Sequence, residues 1–122
     1  MGLEYTDKVK DHFANPRNSG DIADADGIGE VGNPTCGDII KIYIKVTDRK
    51  IVDIKFQTLG CVAAVAASSA ITELAQGKSI ERASQITNQQ VADYLGGLPK
   101  QKISCSNFAA DALKEAIVDL DK

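Results

Sequence analysis

Three cysteines and one aspartate carry the most specific chemistry in this sequence. Cys36 and Asp38 stand two residues apart across a glycine, Cys61 follows a glycine, and Cys105 lies between two serines. Thiolates select zinc or iron–sulfur clusters over hard cations. Because three thiolates and one carboxylate would supply the four ligands of such a site, these residues are the candidate ligands of a metal centre.

The number and spacing of the cysteines leave two interpretations open. An odd number cannot form a complete set of disulfides, and a reducing compartment disfavours disulfides. The cysteines also do not form the CxxC pairs of a zinc ribbon. They could be small buried apolar residues, although all three stand beside glycine or serine rather than inside a periodic apolar pattern. Spacing alone does not decide between ligands and core residues.

The predicted neighbourhood of each cysteine favours its ionised form. We expect Cys61 and Cys105 each to come directly before a helix, where unpaired N–H groups and the helix dipole stabilise a thiolate. Cys36 is expected on a tight loop at the start of a strand, where Gly37 permits a turn that a β-carbon would resist. The thiolate is the form that binds metals or attacks sulfur, so these positions suit a metal site.

Two segments after Cys36 alternate apolar and polar residues, as half-buried β-strands do. In the strand over residues 39–46, one face carries Ile40, Ile42, Ile44 and Val46, and the other carries Lys41, Tyr43 and Lys45. In the strand over residues 51–57, the corresponding faces carry Val52, Ile54 and Phe56, and Asp53, Lys55 and Gln57. A short strand is also expected near residues 28–31. The pattern predicts an antiparallel sheet with one covered face and one solvent-exposed face.

Helices are predicted around this sheet from apolar periodicity and capping residues. They cover residues 4–14, 62–76, 79–83 and 87–95, and a C-terminal segment with apolar residues at Ala109, Leu113, Ala116, Ile117 and Leu120. The alanine-rich helix before Gly77 is apolar nearly all round, so we expect it to be buried against the sheet. Residues 98–102 are predicted to be an exposed linker. We therefore predict one α+β domain over residues 1–122, a three-stranded antiparallel sheet with helices packed on one face and the cysteines near one end.

The only histidine, His12, is not expected to be a ligand. It lies on the first helix, where Tyr5, Val9 and Phe13 form an apolar stripe at i, i+4 and i+8. Because His12 is far in sequence from every cysteine, we interpret it as a partly exposed polar residue beside that stripe.

The composition argues against several classes of function. The 122 residues are 43 % hydrophobic and 25 % charged, which is ordinary for a soluble domain. A net charge of −3, 5 % aromatic residues and no tryptophan give no basis for nucleic-acid binding. No apolar run approaches the about 20 residues that span a bilayer, and the N-terminus lacks a hydrophobic signal core. We therefore expect no membrane association and a cytoplasmic location.

Four segments, taken in order, resemble one known family. They are Asn15-Pro16-Arg17-Asn18, Gly32-Asn33-Pro34-Thr35-Cys36-Gly37-Asp38, Phe56-Gln57-Thr58-Leu59-Gly60-Cys61 with the Ala/Ser run after it, and Ser104-Cys105-Ser106. Over almost its whole length the chain resembles the U-type iron–sulfur cluster assembly scaffolds, the IscU/NifU N-terminal family.

This resemblance implies that Cys36, Cys61 and Cys105 hold a nascent [2Fe–2S] cluster and that Asp38 controls its lability. It implies a scaffold rather than an enzyme, which receives iron and sulfur and hands the cluster on. A cysteine desulfurase and apo iron–sulfur acceptor proteins are the expected partners. The resemblance leaves open whether one chain or a homodimer encloses the cluster, and whether zinc occupies the site in the isolated protein.

The chain departs from the family pattern in three places. Many members have histidine before the third cysteine, where this chain has Ser104, which favours Asp38 as the fourth ligand. The segment Leu98-Pro99-Lys100-Gln101-Lys102 keeps half of the family's chaperone-recognition motif, Leu-Pro-Pro-Val-Lys, so dependence on a dedicated chaperone stays open. Val62 stands where a glycine usually follows the second cysteine, and we expect it to stiffen that loop.

Two other functions would use the same residues. A structural zinc module could take the same three cysteines and one aspartate, and it would be colourless because zinc is d¹⁰. A thiol sulfurtransferase would use Cys105 as its nucleophile, would need no metal, and would turn over with a sulfur donor and a small acceptor. An absorption spectrum separates the zinc module from an iron–sulfur protein, and a turnover assay identifies the sulfurtransferase.

Overall fold

The computed structural model describes residues 6–33, 38–60, 62–97 and 103–120, with only the backbone for Asn33, Asp38, Ala63 and residues 103–108. Within these ranges three strands form an antiparallel sheet in the order β1 (Gly27–Asn33), β2 (Asp38–Thr47) and β3 (Lys50–Leu59). The helices of the same ranges are α1 (Asp7–Ala14), α2 (Val62–Ala75), α3 (Ile80–Ala83), α4 (Asn88–Tyr94) and α5 (Ile103–Asp119). The predicted α+β class and three-stranded antiparallel sheet are confirmed.

The long helices α2 and α5 pack on one face of the sheet. Gly29 of β1 pairs with the fully buried Ile42 of β2 and therefore shares its face. α5 crosses β1 here so closely that a β-carbon on Gly29 would lie 2.1 Å from the carbonyl oxygen of Ala112. α2 adds small and branched side chains to the same core, namely Ala66, Ala67, Ala70 and Ile71. The prediction that helices cover one face is confirmed.

The predicted alternation holds in β2 and fails at one point in β3. The buried face of β2 carries Ile40, Ile42 and Ile44 as expected. In β3, however, Ile51 and Ile54 are fully buried, whereas Val52 is 50 % exposed. Val46 pairs with Ile51 while the preceding residue of β2 pairs with Asp53, so Val52 is the extra residue of a β-bulge. The predicted place of Val52 on the covered face was wrong, because strict alternation does not continue through a bulge.

The opposite face of the sheet carries polar side chains and exposed apolar ones such as Ile28, Ile39 and Leu59, and it also carries one buried aromatic ring. Tyr43, predicted to face solvent, is only 8 % exposed. Its hydroxyl donates a hydrogen bond to Oε1 of Gln57 (2.7 Å), and Nζ of Lys41 lies 5.3 Å from its ring centroid. These neighbouring side chains cover the ring and satisfy its hydroxyl, so the expectation of an exposed tyrosine was wrong.

Two of the predicted helix ends are confirmed by their local geometry. Thr87 and Gln90 form a reciprocal capping box at the start of α4. After α2 the chain adopts a left-handed conformation at Gly77 (φ +82°), which a residue with a β-carbon would resist. No helix in the described part of the chain is long and apolar enough to cross a membrane.

Candidate metal centre

The ends of all three strands that adjoin the predicted ligands lie side by side. Asn33, the last residue of β1, pairs with Asp38, the first residue of β2. Ile39, the next residue of β2, pairs with Leu59, the last residue of β3. The end of β1, the start of β2 and the end of β3 therefore form one end of the sheet, which we call the ligand end.

The sequence places two of the cysteines in connections that start at the ligand end. Cys36 belongs to the four residues that join β1 to β2. Cys61 stands between the end of β3 and Val62, the first residue of α2. The prediction that a helix begins directly after Cys61 is confirmed by this boundary.

The direction of α5 brings its first turn to the same end. A β-carbon on Gly27 would meet the carbonyl oxygen of Ala116, and one on Gly29 would meet that of Ala112. Moving along β1 towards the ligand end therefore means moving back along α5 towards its N-terminus. The helix and the strand are antiparallel, and the first turn of α5 lies at the ligand end.

Cys105 is the third residue of α5, because that helix begins at Ile103. The prediction that Cys105 comes directly before a helix was wrong, since the apolar periodicity that marks the helix begins only at Ala109. The first turn remains a favourable place for a thiolate, because the first four N–H groups of a helix have no intrahelical partner.

Two helix N-termini thus belong to the ligand end. Neither α2 nor α5 has an acidic residue in its first turn. The positive ends of both helix dipoles are therefore not offset by a neighbouring carboxylate of their own first turns, and they favour negative charge here. Two apolar side chains at this end are open to solvent, since Ile39 is 42 % and Leu59 71 % exposed.

The predicted ligands themselves fall outside what the structure describes. This holds for Cys36 and Cys61 altogether, and for the side chains of Asp38 and Cys105. Among the side chains that it does describe, no group of three or more His, Cys, Asp or Glu is placed to hold a metal ion. The backbone thus supports the convergence of the four residues, which stays a prediction. The predicted linker at residues 98–102 also lies outside the described ranges.

His12 is a buried member of a polar network, so its predicted partial exposure was wrong. It is 5 % exposed, and its Nδ1 lies 2.8 Å from Oγ of Ser69 on α2. Its Nε2 lies 3.5 Å from Oε1 of Glu73, which also accepts a hydrogen bond from the hydroxyl of Tyr94. The apolar stripe of α1 is also narrower than predicted, because Phe13 is 44 % exposed.

Burial lowers the pKa of His12 below its usual value, because the charged imidazolium loses hydration. The nearby guanidinium of Arg17 acts in the same direction, while the carboxylate of Glu73 opposes both. His12 is therefore neutral at pH 7. With both ring nitrogens facing protein groups, its evident role is to hold α1 against α2.

Sequence reasoning missed a hydrogen bond between two side-chain hydroxyl groups, close to Cys61 in the sequence. Thr58 in β3 donates a hydrogen bond from Oγ1 to Oγ of Ser68 on α2 (3.0 Å). Ser68 is fully buried and donates in turn to the carbonyl oxygen of Ala64 (2.8 Å). The available signal was that alternation places Thr58 on the same face as the buried Phe56.

Comparison with known proteins decides the family. The NifU-like N-terminal domain family matches residues 4–122. The chain belongs to this family. Its relatives include iron–sulfur cluster assembly scaffold protein IscU 1 of Archaeoglobus fulgidus, 67 % identical over 94 % of this chain and 75 % of the relative.

Two further comparisons give another relative and a solved structure with the same fold. The protein named iron–sulfur cluster assembly scaffold protein IscU in Haemophilus influenzae is 49 % identical over 96 % of this chain and 95 % of its own length. A crystal structure of a putative iron–sulfur cluster assembly scaffold protein for the SUF system from Fervidobacterium islandicum superposes with a TM-score of 0.79. That likeness covers 93 % of this chain and 96 % of the other at 20 % identity, so it shows the shared fold alone.

Proposed function

We propose that this NifU-like domain is a scaffold on which a [2Fe–2S] cluster is assembled from iron and desulfurase-derived sulfur and then transferred to apo-proteins. Its relatives are named as scaffold proteins, and a scaffold is not an enzyme. For this chain the proposal rests mainly on one observation. The strand ends beside Cys36, Asp38 and Cys61 and the helix turn that carries Cys105 belong to one end of the sheet.

The charge of the proposed site agrees with what surrounds it. Three thiolates and one carboxylate contribute −4 and an oxidised [2Fe–2S] core contributes +2, so the loaded site carries −2. Such a charge is costly to bury without compensation. The ligand end is exposed at Ile39 and Leu59, and two helix N-termini supply partial positive charge.

Asp38 has a separate role in this proposal, as the ligand that yields first. Its carboxylate is a harder ligand than a thiolate and binds iron less firmly. A permanent electron carrier more often holds its cluster with four cysteines. A single oxygen ligand therefore suits a cluster that must leave, because an acceptor's thiolate can replace that oxygen first.

The partners follow from the same chemistry. A cysteine desulfurase would dock near the exposed ligand end and pass sulfur to one of the cysteines as a persulfide. An electron donor would then reduce this persulfide by two electrons, which releases the sulfide of the cluster and restores the cysteine thiolate. Apo iron–sulfur proteins would approach the same end to receive the cluster, which one chain or a homodimer could enclose. A reducing compartment such as the cytoplasm belongs to the proposal, because the ligand thiols must stay free.

Anaerobic reconstitution with iron and sulfide tests the proposal. We expect a coloured protein that contains equal amounts of iron and acid-labile sulfide, and native mass measurement will show whether one or two chains carry each cluster. A colourless protein that retains zinc under these conditions would support the structural zinc module. Turnover of a sulfur donor by metal-free protein, lost in Cys105→Ser, would support the sulfurtransferase.

A further inference from the structure

A relay of two hydroxyl groups bridges the elements on either side of Cys61. The relay runs from Oγ1 of Thr58 to Oγ of Ser68 (3.0 Å) and on to the carbonyl oxygen of Ala64 (2.8 Å). Thr58 belongs to the end of β3 and Ala64 to the first turn of α2. Cys61 stands midway between these two residues in the sequence.

We infer that Thr58 and Ser68 are positioning residues, which hold the end of β3 and the start of α2 together and so restrict how readily Cys61 is presented to a reagent or an acceptor. We expect this restriction on Cys61 already in the metal-free protein. Its consequence rests on the proposed function: if Cys61 holds iron, the same relay slows release of the cluster.

The relay is directional, and its central hydroxyl is shielded from water. A hydroxyl has one proton, and Ser68 donates its proton to the carbonyl of Ala64. Ser68 therefore accepts from Thr58, and each link depends on the other. Ser68 is fully buried, and Thr58 pairs with the buried Ile40 on the covered face of the sheet. Loss of the Thr58 hydroxyl removes the donor to the buried Ser68, and loss of the Ser68 hydroxyl removes both links, so either change loosens the bridge.

The direct test measures the reactivity of Cys61 in metal-free protein. Cys36→Ser and Cys105→Ser together leave Cys61 as the only thiol, and the rate of alkylation by a maleimide is measured in this parent. We expect Thr58→Val and Ser68→Ala each to raise that rate about three- to tenfold, the range that the net free energy of one hydrogen bond corresponds to. Thr58→Ser keeps the hydroxyl and should react at the parent's rate. Because both changes break one relay, the double variant should react no faster than the faster single variant.

The matched control is Thr72→Val, made in the same parent. Thr72 is also buried on α2 and donates to the carbonyl of Ser69 (2.7 Å), but it takes no part in the relay. Thr72→Val should destabilise the protein and leave the alkylation rate of Cys61 unchanged. Equal acceleration by Thr58→Val and Thr72→Val would overturn the inference, because it would show only a general loosening of α2. Unchanged rates in both Thr58→Val and Ser68→Ala would overturn it as well.

A second measurement follows the cluster in the chain with all its cysteines. We expect Thr58→Val to release iron to a chelator about three- to tenfold faster than wild type, with Thr58→Ser at the wild-type rate. Faster alkylation with unchanged iron release would refute the claim that the relay slows release of the cluster, while the claim that it positions Cys61 would still hold. A wild-type protein that assembles no cluster would refute the proposed function, and the alkylation rates would still decide on the relay.

Discussion

Gly29 in β1 packs directly against the backbone of Ala112 in α5. A β-carbon on Gly29 would lie only 2.1 Å from the carbonyl oxygen of Ala112, so no larger residue fits here without a shift. This contact fixes the height of α5 along β1, and with it the distance between the first turn of α5 and the ligand end. The position of Cys105 relative to the other proposed ligands thus depends on a glycine far from it in sequence.

Replacing Gly29 with alanine should push α5 away from the sheet. The new β-carbon would meet main-chain atoms, which cannot rotate aside, so we expect a loss of at least about 2 kcal/mol in the free energy of unfolding. Urea denaturation of the metal-free protein measures it. The control is Glu30→Ala, an exposed neighbour in the same strand, with an expected change within about 0.5 kcal/mol. Equal stability of the Gly29→Ala protein and wild type would contradict this packing.

Each of Cys36, Cys61 and Cys105 should be needed for the cluster. Serine in place of any one removes a thiolate ligand, and we expect cluster content after anaerobic reconstitution to fall to a small fraction of the wild-type value. Iron and sulfide analysis with an absorption spectrum measures this. A single Cys→Ser variant with full cluster content and an unchanged spectrum would remove that residue from the ligand set.

Asp38→Ala should separate assembly from transfer. We expect the variant still to assemble a [2Fe–2S] cluster, with a neighbouring or external ligand in the open position, and to pass it more slowly to an apo-ferredoxin. The reason is that the weak oxygen ligand, which an incoming thiolate displaces first, is gone. Transfer is followed anaerobically by the acceptor's spectrum. Equal transfer rates would show that Asp38 does not control release, and failure to assemble would show that it is needed for building.

His12→Ala should weaken the fold and spare the cluster. Removing the ring takes from Oγ of Ser69 one of its hydrogen-bond partners, while the N–H of Arg17 still donates to it, and it opens a space between α1 and α2, so we expect a loss of about 2 kcal/mol. The exposed Phe13→Ala on the same helix serves as the control and should cost less. Loss of the cluster from His12→Ala protein whose circular dichroism is that of folded wild type would make His12 a candidate ligand.

The stability of the metal-free protein should fall as the pH drops below about 6.5, the ordinary pKa of histidine. His12 has a lowered pKa in the folded state, so in this window the unfolded chain binds a proton that the folded protein does not. The contribution of neutral His12 to the free energy of unfolding is fully present above the pKa of His12 in the unfolded chain. It declines as the pH falls from that value to the lower pKa of His12 in the folded protein. Because His12 is the only histidine, a His12→Asn variant should lack this decline. Urea unfolding at pH 7.5 and 5.5 measures both proteins, and a wild type no less stable at pH 5.5 would refute the account.

The strands could be predicted because their signals are local. Alternation in residues 39–46 fixes which side chains of β2 face the helices. These patterns need no knowledge of distant contacts. They were enough to predict the class of fold and one covered face.

The remaining features depend on contacts between distant parts of the chain. His12 and Ser69 are 57 residues apart, and no pattern within α1 indicates that its histidine will be buried. Val52 leaves the covered face because of how β3 pairs with β2, which the sequence of β3 alone does not reveal. The first five residues of α5 include Ser104, Ser106 and Asn107, weak helix formers that hide the true start of the helix.

The most direct test of the scaffold proposal is transfer of the cluster from reconstituted wild-type protein to an apo-ferredoxin in the presence of a strong iron chelator. We predict that the ferredoxin spectrum develops while the chelator collects little iron, because the cluster passes intact between the two sets of thiolates. Iron that appears first on the chelator, with no ferredoxin formed, would contradict a role in cluster transfer.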